Sequence, residues 1–206
     1  MNCLEEKQSL FAFDSDFCTE NGITLLAGTD EAGRGPLAGD VFAAAVILPL
    51  GCVISGIDDS KKLSEKKREM LFDEITQNAL AYAVARASVD EIEELNILGA
   101  AKLSMKRAVS ALETAPQYVF VDGNKLPDWD FRSSAIIGGD GKSAAVAAAS
   151  ILAKVSRDRY MKEIAALYPE YEFEKHKGYG TKLHYEKIRE YGACPIHRPS
   201  FLKKIH

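Results

Sequence analysis

Short apolar runs, most of them bounded by glycine or proline, recur along the chain. Runs of this length and setting are typical of buried strands. A run over 81–87 alternates only weakly between apolar and polar positions, as a half-buried strand does. The predicted strands cover residues 25–29, 41–48, 81–87, 117–121 and 133–137.

Longer segments with helical spacing of apolar residues separate these strands. The predicted helices cover about 65–79, 90–112, 142–167 and 181–191. Ser64 is the expected N-cap of the first, and an acidic start over Asp90–Glu93 resembles a capping box for the second. The second is expected to break near Gly99, and Pro169 ends the third. Residues 1–20 read as a polar lead-in with a short helix.

The order of these elements predicts an α/β fold with at least one right-handed crossover. A chain of 206 residues suits one compact domain with a small appendage. The alanine-rich helix over 142–167 carries little side-chain bulk, so another element is expected to pack very close to it. The final helical segment forms a tail.

Acidic residues follow three of the predicted strands. Asp30 and Glu31 come after the first strand, Asp122 after the fourth and Asp140 after the fifth. Sites in open α/β sheets form outside the carboxyl ends of neighbouring parallel strands. If the first and fourth strands pair in parallel, Asp30 and Asp122 meet although about ninety residues separate them.

These four carboxylates have no basic residue directly beside them in the sequence. Together they could hold two divalent ions about 4 Å apart, which is an arrangement suited to phosphodiester hydrolysis. Magnesium and manganese prefer oxygen ligands of this kind. Plainer interpretations stay open: Asp140 could cap the following helix, Asp122-Gly123 could be an ordinary turn, and Asp30-Glu31 could lie in a polar hairpin turn.

Composition narrows the function classes. The net charge is −4, yet residues 151–206 hold 12 Lys and Arg against 7 Asp and Glu, whereas the rest holds 14 against 23. A basic tail beside an acidic body could follow a phosphate backbone, although a solvated helix surface explains it equally well. No segment suggests a membrane span or a signal peptide. Four scattered cysteines favour a reducing cytosol over a disulfide framework or a zinc site.

Other motifs are incomplete. Gly28 and Gly33 are spaced as in a P-loop, but Arg34-Gly35 stands where lysine and a hydroxyl residue are needed. The four histidines lie in the tail without metal-ligand spacing and are interpreted as surface or structural residues. Ser150, Lys154 and Arg157 share one helix face, which could contact phosphates or simply be solvated.

Taken as a set, several segments have a close parallel in a known family. The chain resembles the type 2 ribonucleases H, specifically ribonuclease HII. The matching segments, in order, are Gly28–Gly39, Asp59–Leu63, Val121–Asn124, Gly139–Asp140 with Ala147–Asp158, and His176–Thr181. They extend over residues 25–200, and their combination is far more specific than any single motif.

The resemblance implies an RNase H-like fold, with a mixed central sheet flanked by helices over about 25–168 and a C-terminal helical extension over 169–206. It implies endonucleolytic cleavage of RNA in RNA–DNA hybrids, and 5′ to ribonucleotides embedded in duplex DNA, with 5′-phosphate and 3′-hydroxyl products. Asp30, Glu31, Asp122 and Asp140 match the catalytic, metal-binding carboxylates. One or two Mn²⁺ or Mg²⁺ ions are implied, the second held through Asp140 once substrate is present.

The resemblance also assigns substrate contacts. Gly33, Arg34 and Gly35 match a segment whose backbone approaches the ribose 2′-hydroxyl, and Tyr179 matches a residue that stacks on the next deoxyribose. Lys61 and Lys62 lie in a segment expected near the phosphates.

Asp40 replaces the family's usual proline and is expected to change metal affinity little. The type 3 subfamily is disfavoured, because only about 20 residues precede the first strand. The chain is expected to act as a cytoplasmic monomer without membrane association. A silent hybrid-binding protein, a DNA nuclease or integrase of the same fold and a phosphate-binding metabolic enzyme are the alternatives.

Overall fold

A five-stranded mixed sheet organises the structure, a computed structural model that describes the backbone of residues 3–203 and the side chains of 10–203. The strands lie in the order β3-β2-β1-β4-β5. Strands β1, β2 and β3 are antiparallel, whereas β4 and β5 run parallel to β1. The strands are β1 Leu26–Ala32, β2 Val41–Ile47, β3 Ala81–Ala87, β4 Tyr118–Asp122 and β5 Ser133–Ile136.

Helices flank both faces of this sheet. They are α1 Cys3–Asn21, α2 Glu65–Asn78, α3 Val89–Ser110, α4 Ala144–Leu167, α5 Phe173–His176, α6 Lys182–Tyr191 and α7 Pro199–Leu202. Two short 3₁₀ turns cover Gly139–Gly141 and Pro169–Tyr171. The predicted α/β class, mixed sheet and helical C-terminal segment are confirmed. Within the described part of the chain, no helix is long and apolar enough to cross a bilayer.

Strand β2 separates two layers of the core. Ala44 and Val46 pack with α2 and α4, whereas Ala43, Ala45 and Ile47 face α3 on the opposite side. This alternation follows from the two-residue period of a strand. Because both faces are covered, the strand is apolar along its whole length and fully buried.

The close packing expected of the alanine-rich helix occurs between α4 and β1. A Cβ atom added to Gly28 would lie 2.2 Å from the backbone C of Ala145 and 2.2 Å from the N of Val146. Only glycine fits there, since a real Cβ cannot approach backbone atoms so closely. This contact fixes β1, two residues before Asp30, against the first turn of α4.

The structure corrects several element boundaries. Residues predicted as a polar lead-in form the 19-residue helix α1, whose Leu10 and Cys18 are buried. Ser88 and Glu91 make the capping box of α3, two residues earlier than the Asp90–Glu93 prediction. The helix breaks at Asn96 rather than Gly99, because Asn96 has φ 59° and its side-chain oxygen accepts hydrogen bonds from the next turn.

The C-terminal segment packs around three buried histidines. His176 and His184 stack with ring centres 4.3 Å apart, and Nε2 of His184 lies 3.1 Å from Nε2 of His197. These positions confirm the structural interpretation of the three histidines. His206, the fourth, lies outside the described residues.

Candidate functional site

The sheet topology brings the predicted acids to one edge. In the parallel pairing of β1 with β4, Thr29 lies opposite Val121, so Asp30 and Asp122 follow at the same level. Strand β5 continues this edge, and Asp140 lies in the 3₁₀ turn that follows it. Asp30 and Glu31 are not beyond the end of β1, as predicted, but inside it, because antiparallel pairing with β2 continues as far as Ala32.

Burial and mutual repulsion govern the protonation of these acids. Asp30 is 6% exposed, and burial raises its pKa well above the usual value, with further increases from Glu31 and Asp122. Burial also raises the pKa of Asp140, and the neighbouring carboxylates Asp59 and Asp122 add to the effect. Carboxylates that raise each other's pKa in this way resist joint ionisation, and a bound divalent cation would reverse that effect.

Backbone amides and one cation orient three of the carboxylates. Asp122 accepts a hydrogen bond from the N–H of Gly139 at 2.7 Å, and Asp30 accepts one from the N–H of Glu31 at 2.7 Å. No basic residue stands directly beside the acids in the sequence, but in the fold Glu31 pairs with Arg34 at 3.0 Å. Such an i, i+3 pair needs only a short turn after the strand.

The loop after β2 contributes both a further acid, Asp59, which lies outside the four predicted carboxylates, and a lysine. The Asp59 carboxylate lies beside Asp140 and raises the pKa of that carboxyl group. Lys61 places its Nζ 4.0 Å from Asp140, whereas Lys62 pairs with Asp58 at 3.1 Å. Asp59 could have been found from its place in the matched segment Asp59–Leu63.

This loop is anchored on α4 and α2. The N–H of Ser60 lies 3.4 Å from Oγ of Ser150, and Arg68 donates to the carbonyl of Ser60 at 3.0 Å. Arg68 also approaches Asp158 at 3.6 Å. Two of the residues predicted to share a helix face, Ser150 and Lys154, therefore support or border the site.

The third residue of that face has a different role. Arg157 is fully buried and donates to the backbone carbonyls of Ala38, Asp40 and Lys177. It is therefore neither solvated nor able to contact phosphate.

The donor set fits a divalent cation, although the side chains do not yet surround one. Four carboxylates supply only oxygen atoms, which magnesium and manganese prefer. Among the described residues, no three His, Cys, Asp or Glu side chains are arranged to hold an ion as they stand. Glu31 is turned toward Arg34, and Asp122 accepts a hydrogen bond from Gly139.

A cleft extends from the acids along the loop that follows β1. Its walls include Asp30, Glu31, Gly33, Arg34, Gly35, Lys61, Lys154 and Tyr179. The ring of Tyr179 is 40% exposed, and Nζ of Lys154 lies 5.7 Å from its centre. An exposed aromatic ring beside a cation is suited to stacking against a sugar or base.

Asp40 lies on another side of the loop. Its carboxylate is 3.4 Å from Arg86, and burial raises its pKa. After burial, the leading influences on that pKa are Arg86 and a backbone hydrogen bond from Val89 rather than the four acids at the sheet edge.

The family model "Ribonuclease HII" matches residues 27–204. The ribonuclease HII of Marinomonas sp. is 61% identical over 184 residues, which cover 88% of this chain and 92% of the relative. The ribonuclease HII of Caldicellulosiruptor saccharolyticus is 53% identical over 198 residues, 96% of each chain.

Two solved structures share the fold. Ribonuclease H2 from Pyrococcus horikoshii superimposes with a TM-score of 0.72 at 27% identity, covering 88% of this chain and 96% of that one. A chain of the PCNA:RNase HII complex from Archaeoglobus fulgidus gives a TM-score of 0.69 at 26% identity, covering 85% and 93%.

Proposed function

Because the chain belongs to the ribonuclease HII family, whose members cleave RNA in RNA–DNA hybrids, we propose that it also cuts 5′ to single ribonucleotides embedded in duplex DNA. The chain is an endoribonuclease. The proposed products carry a 5′-phosphate and a 3′-hydroxyl. Cleavage at a lone ribonucleotide in duplex DNA requires the enzyme to recognise a single 2′-hydroxyl group.

One observation carries this proposal: two of the four acids, the glycine loop and the exposed tyrosine line a single cleft. Asp30 and Glu31 share its wall with Gly33, Gly35 and Tyr179. A phosphodiester at the acids would thus place its own sugar beside the loop. A nuclease that ignored ribose would need the acids but not this combination.

We assign the chemistry to Asp30, Glu31, Asp122 and Asp140. These residues would hold one or two Mg²⁺ or Mn²⁺ ions, with Asp140 binding the second when substrate phosphate is present. When bound, the metal would supply an activated water and charge neutralisation at the leaving oxygen. Family membership makes divalent-metal dependence the general expectation, whereas the identity and number of ions are proposals.

We assign substrate contacts to the remaining wall. The backbone of Gly33, Arg34 and Gly35 would approach the 2′-hydroxyl, and Tyr179 would stack on the following deoxyribose. Lys61 lies close enough to Asp140 to reach a phosphate at the site. Lys62 pairs with Asp58 and would contribute only at longer range.

We further propose that one catalytic unit, with a core over 25–168 and the extension over 169–206, acts as a monomer. The extension belongs to that unit because it supplies Tyr179. Its substrates are RNA–DNA hybrids and ribonucleotide-containing DNA. The cytoplasmic location stays a prediction.

The deciding experiment uses a labelled DNA duplex carrying one ribonucleotide, with Mg²⁺, Mn²⁺ or EDTA, and an all-DNA duplex as control. We expect a metal-dependent cut on the 5′ side of the ribonucleotide and no cut in the control. Equal cleavage of both duplexes would favour a DNA nuclease of the same fold. No cleavage in either metal would refute the proposed substrate.

A further inference from the structure

Arg198 is completely buried beneath the loop that follows β1. Its guanidinium group donates only to backbone carbonyl groups of that loop. The acceptors are Gly39 at 2.9 and 2.6 Å, Gly33 at 2.7 Å, Pro36 at 2.8 Å and Arg34 at 3.2 Å. A guanidinium group has five N–H donors, and these five contacts use all of them.

A buried charge held by carbonyl groups alone is an expensive arrangement. Within the described part of the chain, no carboxylate lies within ion-pair distance of Arg198. Burial and the nearby Arg157 guanidinium together lower the pKa of Arg198 to about 9. An apolar side chain would avoid this cost. Unlike apolar packing, the arginine fixes the orientation of several peptide groups of the loop.

That direction follows from peptide geometry. The carbonyl of Gly33 and the N–H of Arg34 belong to one planar trans peptide and point in opposite directions, as do the carbonyl of Arg34 and the N–H of Gly35. Because Arg198 holds both carbonyls, both N–H groups point away from it. Among the described residues these two N–H groups donate to no protein acceptor, and Arg34 and Gly35 line the cleft.

We propose that Arg198 is a positioning residue for ribose recognition, which holds the N–H groups of Arg34 and Gly35 toward the position of the 2′-hydroxyl. This inference rests on the proposed function and deepens it. Arg198 does not touch substrate; it acts through the loop. Lysine cannot replace it, because an ammonium group has three donors and lacks the planar fork.

The first test compares Arg198→Lys with wild type on the duplex carrying one ribonucleotide. We expect the single-turnover rate at saturating protein to fall at least about 10-fold per folded molecule. The Kd for the same duplex in EDTA should change less than about 3-fold, since phosphate contacts dominate affinity. If Arg198 only stabilised the fold, the substitution would lower the folded fraction. The single-turnover rate per folded molecule would then stay at the wild-type value.

Arg107→Lys is the matched control. Arg107 also uses its fork, donating to Glu91 at 2.8 and 2.6 Å and to the carbonyl of Arg86 at 3.0 Å, but it lies outside the cleft. We expect this variant to keep the wild-type rate per folded molecule. An Arg198→Lys rate equal to that of Arg107→Lys would overturn the inference.

A second measurement needs no variant and therefore does not depend on whether Arg198→Lys folds. Amide hydrogen exchange of wild type in EDTA would be followed at Arg34 and Gly35. We expect both amides to be protected by the duplex with one ribonucleotide and not by the all-DNA duplex. Equal protection by both duplexes would overturn the inference.

Failure of this inference is distinguishable from failure of the proposed function. If wild type does not cut at the ribonucleotide, the proposed function fails. If wild type cuts there and Arg198→Lys cuts equally well, only the role of Arg198 fails.

Discussion

At the residue scale, Asp122 is the acid whose substitution gives the clearest test of the metal assignment. We expect Asp122→Asn to lower cleavage by more than about 100-fold, because even outer-shell partners of metal ligands account for 10–100-fold. Asparagine keeps the oxygen that accepts the Gly139 N–H at 2.7 Å, so folding and hybrid binding should survive. Cleavage assays and binding by fluorescence anisotropy measure the two effects.

The control for Asp122→Asn is Asp130→Asn, which removes the same charge from an exposed position in the next loop. It should cleave like wild type. Near-normal turnover by Asp122→Asn would contradict the metal assignment.

Tyr179 tests the sugar contact at the same scale. We expect Tyr179→Ala to slow cleavage at a lone ribonucleotide by about 10- to 100-fold, since aromatic stacking contributes about 1–3 kcal/mol. The melting temperature should change little because the ring is 40% exposed. Tyr179→Phe keeps the ring and should retain activity. Parallel losses of melting temperature and rate in Tyr179→Ala would instead indicate a structural role.

Single residues were predictable where they lie in a local pattern. The four acids could be grouped from the sequence because each lies near the end of an apolar run that forms a strand, and parallel pairing brings those strand ends together. Their contact partners were not predictable from the sequence. Asp59 lies about eighty residues from Asp140 in the chain, and Arg198 lies 165 residues from Gly33. No periodicity in the sequence reports a contact of that kind.

At the element scale, the contact between β1 and α4 determines the position of Asp30 and Glu31, which lie on β1. We expect Gly28→Ala to destabilise the protein by at least about 1–3 kcal/mol, the usual cost of overpacking. The added Cβ would lie 2.2 Å from backbone atoms of Ala145 and Val146, so helix and strand must separate. Activity should also fall, because Asp30 moves with β1. Urea denaturation measures the loss.

The matched control is Gly141→Ala. A Cβ at Gly141 meets no atom within 4 Å, and the residue does not have a positive φ. Its stability should stay within about 0.5 kcal/mol of wild type, as for most surface substitutions. A Gly28→Ala midpoint equal to that of Gly141→Ala would show that α4 does not rest directly on β1.

The type of most secondary-structure elements was predictable from the sequence, whereas their first and last residues were less so. Strand β3 was predicted with its observed limits, since α2 ends shortly before it and the N-cap residue Ser88 of α3 follows it directly. Helix α1 was predicted too short, because the buried side chains described for residues 10–21, Leu10 and Cys18, are too few to give an apolar stripe. The end of β1 was placed too early because antiparallel pairing with β2 stabilises two acids inside a strand, against their local preference.

At the scale of the whole molecule, the C-terminal segment completes the site rather than merely following the core. The carbonyl of Tyr179 accepts a hydrogen bond from Nδ1 of His184 at 3.0 Å. The N–H of Cys194 donates to Nδ1 of His197 at 2.9 Å, so the remaining proton of His197 lies on Nε2 and is donated to His184. Neutral rings therefore link α6, the chain end and the loop that carries Tyr179.

This chain of rings predicts a pH dependence of stability. Burial lowers the pKa of His184 to about 4, below its ordinary value of 6.5. Between these values the unfolded chain binds a proton that the folded chain does not, so this residue's contribution to the free energy of unfolding falls as pH falls. The contribution of His184 is fully present above about pH 6.5. Between about pH 6.5 and 4 it falls by about 1.4 kcal/mol per pH unit.

The pH dependence of wild-type stability alone does not isolate the contribution of His184. Burial raises the pKa of Asp14 to about 6, so the contribution of Asp14 to the free energy of unfolding rises as pH falls. We therefore compare wild type with His184→Asn in urea at several pH values. The variant should be less stable near pH 7.5, since it loses the contact with His197, and the difference should shrink from pH 6.5 toward 4. The Asp14 contribution cancels in that difference. A constant difference across the window would mean that His184 titrates as it does in the unfolded chain, and that the buried rings do not hold it neutral.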